Sequence, residues 1–193
     1  MNVFVLDKNP KKAAEYHCNK HVVKMILETC QMMTTACWVD LLHKRGKKTS
    51  DFKKQKDMQA WLFENVTEDL RPTWRMTHIN HPCSVWTRES MDNYWWLGEL
   101  GINLLLEYSA RYKKIHSTTE IFDWLFLHPP GLASKGLTPH PICMPELYKK
   151  EDNVVESYRR FYIGDKSRFA KWEPRAQTPE WYNEGIQSLS IQS

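Results

Sequence analysis

Residues 17–36 have the pattern of a helix that is buried on most of its sides. Apolar residues fill most of this stretch, namely Val22, Val23, Met25, Ile26, Leu27, Cys30, Met32, Met33 and Ala36. One row of polar residues, which we call the polar stripe, consists of His17, His21, Lys24, Glu28, Gln31 and Thr35. Spacings of four, three, four, three and four residues place the polar stripe on one helical face. Because buried polar groups need hydrogen-bond partners, this face should meet a partner, a cavity or a ligand.

The rest of the pattern predicts a mainly α-helical protein. Helical patterns start near Pro10, Met58, Ser84, Ser90, Ile121, Asn153 and Pro179. The first of them has Asp7 or Asn9 as its cap and runs to about Leu42, with a bend near Asn19. Residues 2–6 have the pattern of a short β-strand. We therefore predict one compact multi-helix domain over residues 1–187, with a short N-terminal strand and a frayed tail at 188–193.

Two segments interrupt the helical pattern. Residues 43–57 contain six lysines and one arginine and predict a basic loop, which is either a solvated mobile loop or an arm that contacts nucleic-acid backbone. Residues 128–145 contain five prolines and two glycines, and loops of this length in a compact domain are often functional.

Composition narrows the class of protein. A chain of 193 residues with 41% hydrophobic residues fits a single folded domain. Five cysteines without a CxxC pair favour a reducing cytosol over a disulfide framework. Apolar runs stay below 18 residues and no signal-peptide pattern is present, so we predict no membrane partner. The net charge of +4 permits an anionic partner.

The polar stripe supplies the candidate catalytic residues. His21 can act as an acid or base near neutral pH, and Glu28 can act as a base or stabilise charge if it is desolvated. Lys24 can bind a phosphate or, if desolvated, act as an amine nucleophile. The structural alternative is a buried network in which Glu28 pairs with Lys24 or with an arginine elsewhere.

A second group lies at a predicted helix start. His78, His81, Arg88 and the nearby Asn93 surround exposed backbone N–H groups, which favour an anion. These histidines could also join His17 and His21 in a metal site. The chain has no HExxH motif and no zinc-finger spacing of cysteines, so we predict neither a metal nor another cofactor.

Two further groups combine cations with aromatic rings. Arg111 and Lys114 follow Glu107 on one helical face, where an i, i+4 ion pair on a solvated helix is the structural alternative. Residues 158–162 interleave arginines and aromatic residues, which suits phosphate contacts and base stacking or, alternatively, a helix with buried rings. The predicted phosphate- or substrate-binding residues are Gln31, His78, His81, Arg88, Asn93, Arg111, Lys114, His116 and Arg159.

Several nucleotide and hydrolase motifs are absent. The chain contains no GxxxxGK[ST], GxGxxG or GxSxG sequence, which argues against P-loop, Rossmann and α/β-hydrolase proteins.

The motifs resemble a family of small proteins of tailed bacteriophages. They are the run Lys20–Gln31, His78-Ile-Asn-His-Pro82 with Trp86, Arg88 and Ser90, Asn93-Tyr-Trp-Trp-Leu97, Glu107-Tyr108 with Arg111-Tyr-Lys113 and His116, Met144-Pro145, and Tyr158-Arg159. The resemblance extends to about Trp181, and it implies expression in the cytoplasm of an infected bacterial host.

The chain also resembles, in architecture, the pyrimidine-dimer DNA glycosylases of T-even-like phages. Those enzymes are small, helical and basic, and they use a free N-terminal amine as nucleophile with a nearby helix glutamate. Here a short N-terminal run precedes a helical region that carries Glu15 and then Glu28. The chain departs from their pattern because no matching Thr follows Met1 and because Asn2 is too large for ready removal of Met1.

We therefore predict an enzyme of the DNA glycosylase or base-modifying type, which acts on DNA or a nucleotide at a base or N-glycosidic bond. Glu28 and His21 would face the sugar or base, and Lys24, Arg88 and Arg111 would hold phosphates in one cleft around a flipped base. The alternative is a non-enzymatic phage protein that sequesters a nucleotide or inhibits a host defence or polymerase protein.

Overall fold

A computed structural model describes residues 1–192 and confirms the mainly α-helical prediction. Within these residues the chain forms eight α-helices and no strand. The helices are α1 (Pro10–Tyr16), α2 (Asn19–Lys44), α3 (Gln55–Asn65), α4 (Pro82–Thr87), α5 (Met91–Tyr112), α6 (Thr119–Leu127), α7 (Val154–Phe161) and α8 (Glu180–Gln192). Short 3₁₀ turns occur at Thr49–Asp51, Glu68–Leu70 and Glu146–Tyr148, and a π-helical turn covers Tyr162–Lys166.

The short N-terminal strand that the sequence predicts is absent from the described chain. Residues 3–6 are buried, but the hydrogen bonds that the Val3 and Leu6 N–H groups donate are local. The Leu6 N–H donates to the Phe4 carbonyl at 3.0 Å, and the Val3 N–H donates to the Asn2 side chain at 2.8 Å. A run of buried apolar residues has the same sequence pattern in a strand and in an isolated extended segment, so the pattern alone could not separate them.

The long first helix of the prediction is divided into α1 and α2. Asn9 caps α1 by accepting from the Lys12 N–H, and Pro10 occupies its first turn, as predicted. The chain becomes extended at His17, and α2 restarts at Asn19. Asn19 donates through its backbone N–H to the Lys171 carbonyl and through its side chain to the Trp172 carbonyl, both at 2.8 Å.

The chain divides into two compact units. Unit 1 comprises Met1, Leu27–Gly98 and Ser117–Pro139, and unit 2 comprises Asn2–Ile26, Glu99–His116 and the residues from His140 onward. Helices α2 and α5 therefore contribute residues to both units.

The core of unit 1 joins α2 and α3 to the segment that follows α3. Its buried members are Trp38, Val39, Leu42, Met58, Leu62, Val66, Met76 and Ile79. The Gln59 side chain accepts from the Met76 N–H at 2.8 Å, and the Trp38 indole donates to the Trp74 carbonyl at 2.7 Å. These bonds hold the segment that precedes His78 and His81 against α2 and α3.

The predicted basic loop is shorter than residues 43–57. Helix α2 extends to Lys44, a 3₁₀ turn covers Thr49–Asp51, and α3 begins at Gln55. The turn is capped because the Asp51 carboxylate accepts from the Lys48 N–H at 2.9 Å.

The proline-rich segment contains neither helix nor strand between residues 128 and 145. Its part in unit 1 is held by the start of α5. The Asp92 carboxylate accepts from the Ser134 hydroxyl at 2.7 Å and from the Lys135 and Gly136 N–H groups at 3.1 and 3.0 Å. The segment is therefore ordered by side-chain hydrogen bonds although it lacks regular structure.

The C-terminal residues of the described chain are helical. Helix α8 continues through residues 188–192, where the sequence predicts a frayed tail. Ser193, the last residue of that tail, lies outside the described residues.

None of the helices in residues 1–192 combines the length and the apolar character that a membrane span requires.

Candidate functional site

The amino group of Met1 lies beside the Glu28 carboxylate in unit 1. The distance from the amine nitrogen to Glu28 Oε2 is 3.7 Å, and the side chains of Met1 and Glu28 are 2% and 9% exposed. Met1 as a whole residue is more exposed than its side chain, so the part of Met1 that reaches solvent is its main chain. The Met1 side chain thus anchors the residue, while main-chain atoms of Met1 reach solvent.

Helix α4 supplies the anchor for Met1. The Ser84 hydroxyl donates to the Met1 sulfur at 3.2 Å, and Ser84 itself is buried. Pro82 opens α4, and His81 caps it by accepting from the Cys83 N–H through Nδ1 at 3.2 Å. Because Nδ1 is the acceptor in this bond, the neutral His81 ring carries its proton on Nε2.

His81 interacts electrostatically with the Met1 amine and with Glu28. Burial lowers the pKa of His81 below its usual 6.5, the Met1 amine and His78 lower it further, and Glu28 opposes them. His81 is therefore neutral at pH 7, so its Nε2–H is available as a hydrogen-bond donor.

A pocket of about 610 Å³ adjoins this group in unit 1. It is lined by Thr49, Ser50, Phe52, Lys53, Gln55, Met58, His78, Ile79, Asn80 and His81. The lining combines a cation, an aromatic ring, hydroxyls and amides, and the volume is in the usual range for small-molecule sites. His81 is the residue that links the pocket to the Met1 amine and Glu28.

The pocket wall contains a strained residue. His78 has a φ of 47°, which is the left-handed region that residues other than glycine rarely adopt. Its carbonyl accepts from the His81 N–H at 2.9 Å, and the Gln55 side chain donates to the Met76 carbonyl at 2.9 Å. Such a conformation costs roughly 1–3 kcal/mol and is concentrated at functional sites.

The polar stripe is divided between the two units. Glu28 and Gln31 belong to unit 1, whereas His21 and Lys24 belong to unit 2 and do not line the pocket. Gln31 is half-buried and also lies outside the pocket lining. Lys24 is exposed, so its amine lacks the desolvation that a lysine nucleophile needs.

His21 is part of the core of unit 2. Its Nδ1 and the Tyr162 hydroxyl share a hydrogen bond, and the Phe4 ring lies 4.5 Å from the imidazole between centroids. Burial lowers the pKa of His21 to about 2, and neighbouring positive charges, including Lys166, lower it further. His21 is therefore a neutral hydrogen-bonding residue at physiological pH.

Arg88 and Asn93 lie in unit 1 and bind protein groups. Arg88 donates to the Ser84 carbonyl at 2.8 Å, and burial lowers its pKa while Glu89 opposes the shift. Asn93 donates to the Trp86 carbonyl at 2.8 Å and to the Thr138 hydroxyl at 2.7 Å. Arg88 thus bonds back to α4, and Asn93 joins α4 to the segment that contains Thr138.

Arg111 uses its whole guanidinium inside unit 2. It donates to the Glu107 carboxylate at 2.8 and 2.6 Å, and the Glu15 and His17 carbonyls and the Asn19 side chain accept its remaining bonds. Five hydrogen bonds match the five donors of a guanidinium. Arg111 thus fastens α5 to the break between α1 and α2.

The last three predicted binding residues also belong to unit 2. Lys114 is exposed, and the His116 ring meets the Tyr108 ring edge-on at 4.9 Å, with its pKa lowered by burial. Arg159 donates to the Leu6 carbonyl at 3.0 Å and lies over the Trp181 ring at 5.2 Å. Phosphate binding by these residues stays a prediction.

The buried histidines of unit 2 make its stability depend on pH. His17 is fully buried, its Nδ1–H donates to the Ala13 carbonyl at 2.6 Å, and burial lowers its pKa to about 4. An unfolded histidine has a pKa near 6.5, so below that pH the unfolded chain binds protons that folded His17 and His21 do not. We expect the free energy of unfolding to fall by about 4 kcal/mol between pH 7 and pH 5 from these two residues.

Urea denaturation at both pH values measures this loss. Burial also lowers the pKa of His140 in unit 2 to about 4, so this residue adds a similar loss. The His17→Met variant should therefore reduce the total loss by about a third, because one of three such groups is gone. The matched control is His43→Gln, since His43 is exposed on α2, and it should leave the loss unchanged. A His17→Met variant with the wild-type loss would exclude His17 as a source.

Four residues of the site in unit 1, Met1, Phe52, Gln55 and Ser84, were not among the predicted site residues. The Met1 amine was indicated only by the resemblance to enzymes with an N-terminal nucleophile, and Ser84 carried no signal. Phe52 and Gln55 lie within the predicted basic loop, and local spacing does not predict that they line a pocket with His78.

No protein-family model, curated protein or solved structure matches this chain. The two resemblances therefore stay predictions, and the functional argument depends on the site geometry.

Proposed function

We propose that the protein is an enzyme that attacks the C1′ atom of a nucleotide and breaks its N-glycosidic bond. The nucleophile is the Met1 amine, and Glu28 is its carboxylate partner. The observation that carries the proposal is their 3.7 Å separation, in which both side chains are buried while the main chain of Met1 reaches solvent. An amine next to a proton-accepting carboxylate is a recognised arrangement for covalent catalysis.

The proposed reaction conserves atoms and charge. The Met1 ammonium first releases a proton to water, which gives the amine a lone pair. That lone pair forms a bond to C1′, the bond from C1′ to the base breaks, and the base leaves with the electrons of the broken bond and takes a proton from water. Glu28 accepts one proton from the attached amine and returns it to O4′ when the sugar ring opens, which leaves a protonated imine. Water then hydrolyses the imine to an aldehyde and the free amine.

The surroundings of the pair suit this reaction. A fixed carboxylate beside the nitrogen stabilises the positive charge that develops on the imine. Neutral His81 can donate a hydrogen bond from Nε2–H to the departing base, and the adjoining pocket of about 610 Å³ can hold a nucleotide. Lys53 in the pocket wall can neutralise a phosphate.

Reductive trapping tests the proposal. An imine between an amine and an aldehyde becomes a stable secondary amine when cyanoborohydride reduces it. We expect wild-type protein to form a covalent adduct with DNA that contains one abasic site, and with 2-deoxyribose 5-phosphate, as measured by intact mass.

The control is a chain with one glycine added before Met1. The addition displaces the amine by about 3.8 Å, so trapping should fall at least about 100-fold. Equal trapping by both chains would place the reaction on a lysine. Binding of either probe without any trapping would contradict the proposal and favour a non-enzymatic binding protein.

A further inference from the structure

The pocket continues into a surface of unit 1 that combines cations with aromatic rings. The Phe52 ring lines the pocket and lies 5.9 Å from the Trp61 ring between centroids. The Lys47 ammonium lies 5.9 Å from the centroid of the same Trp61 ring. We call Lys47, Lys48, Phe52, Lys53 and Trp61 the basic–aromatic surface.

The cations of this region are not neutralised by carboxylates. Lys48, Lys53, Lys54 and Lys56 are exposed, and none of them forms a salt bridge within residues 1–192. Over residues 43–57, six lysines and one arginine outnumber the two carboxylates, Asp51, which caps the 3₁₀ turn, and Asp57. The region therefore has a net positive field that extends beyond the pocket, with Lys53 in the pocket wall.

The extent of the surface indicates a polymer. A free nucleotide has its phosphates on one carbon, so a single cation such as Lys53 in the pocket wall would serve it. Cations at residues 47, 48, 54 and 56 would have no role for such a ligand, whereas a strand places a phosphate at every nucleotide. Phe52 and Trp61 pack against the core of unit 1 but stay half-exposed, and exposed parts of such rings can stack with bases beside the target.

We propose that the basic–aromatic surface holds a DNA strand whose target nucleotide occupies the adjoining pocket. The identification of DNA, rather than a free nucleotide, rests on the proposed function. DNA is favoured over RNA because a ribose 2′-hydroxyl withdraws electrons from C1′ and makes its glycosidic bond harder to break.

Fluorescence anisotropy with a labelled 20-nucleotide single-stranded DNA tests this inference. Lys47→Gln with Lys48→Gln removes two adjacent lysines from the surface. The matched control is Lys11→Gln with Lys12→Gln, which removes two adjacent exposed lysines from α1 in unit 2. We expect the Lys47 and Lys48 pair to weaken binding about tenfold at 0.1 M salt and to reduce the salt-dependence slope by about 1.4.

The control pair should change the affinity less than about twofold. Equal losses in the two pairs would overturn the surface, and so would tighter binding of a mononucleotide or of RNA with the same sequence. Trp61→Leu gives a second readout, with a loss of roughly tenfold expected from one stacked base. Failure of the proposed function is separate, because it appears as wild-type protein that traps neither abasic DNA nor 2-deoxyribose 5-phosphate.

Discussion

Glu28→Gln is expected to trap abasic DNA at least about 100-fold more slowly than the wild type, because general acid–base groups contribute roughly this much. Glutamine keeps the shape of the side chain but cannot accept a proton from the Met1 amine or carry the charge that stabilises the imine. DNA affinity should stay within about threefold, since the basic–aromatic surface is unchanged. Trapping rate and anisotropy, measured on the same preparation, separate the two effects.

Glu64→Gln is the control for this substitution. Glu64 is exposed on α3 in the same unit, so the change removes one carboxylate of unit 1 without touching the site. It should trap at the wild-type rate. A Glu28→Gln variant that also traps at the wild-type rate would show that the contact between Met1 and Glu28 only ties down the start of the chain.

Arg111→Met is expected to lower the free energy of unfolding by about 3–5 kcal/mol, the usual cost of breaking a buried ion pair by removing one partner. Methionine fills much of the volume but leaves Glu107 and the carbonyls of Glu15 and His17 without their donors. Urea denaturation at pH 7 measures the loss.

Lys114→Met removes the same charge from an exposed position near the end of α5 and should cost less than about 0.5 kcal/mol. The comparison also tests the role that the sequence predicts for Arg111. A stable Arg111→Met variant with strongly reduced DNA affinity would restore Arg111 as a phosphate ligand and contradict the structural role.

The helices could be predicted because their signals are local. Asn9 before Pro10 and His81 before Pro82 mark helix starts that the structure contains. The sequence predicts a bend near Asn19 but not the complete break at His17, since no glycine or proline marks it. The break depends on hydrogen bonds from Asn19 to residues more than 150 positions away.

The polar stripe identified Glu28, but its residues have different partners in the structure. Equal spacing places residues on one face of a helix, and the sequence therefore suggests one common environment. A helix of 26 residues is long enough to pass from one unit into another. His21 consequently meets Tyr162, Glu28 meets Met1, and the Thr35 hydroxyl bonds to the Thr77 backbone.

The histidines at 78 and 81 show what spacing can predict about a site. Their position before a proline predicted a helix start with polar residues beside it, and both histidines line the pocket. The left-handed backbone of His78 and the approach of Gln55 are tertiary features, which no local pattern encodes.

Peptide mapping of the reduced adduct tests directly whether the Met1 amine is the nucleophile. Wild-type protein is treated with abasic DNA and cyanoborohydride, the DNA is digested to its sugar remnant, and tandem mass spectrometry locates the modified nitrogen. We predict one modification, on the α-amino group of Met1. A modification on Lys24 or on another lysine, with Met1 unmodified, would contradict this prediction.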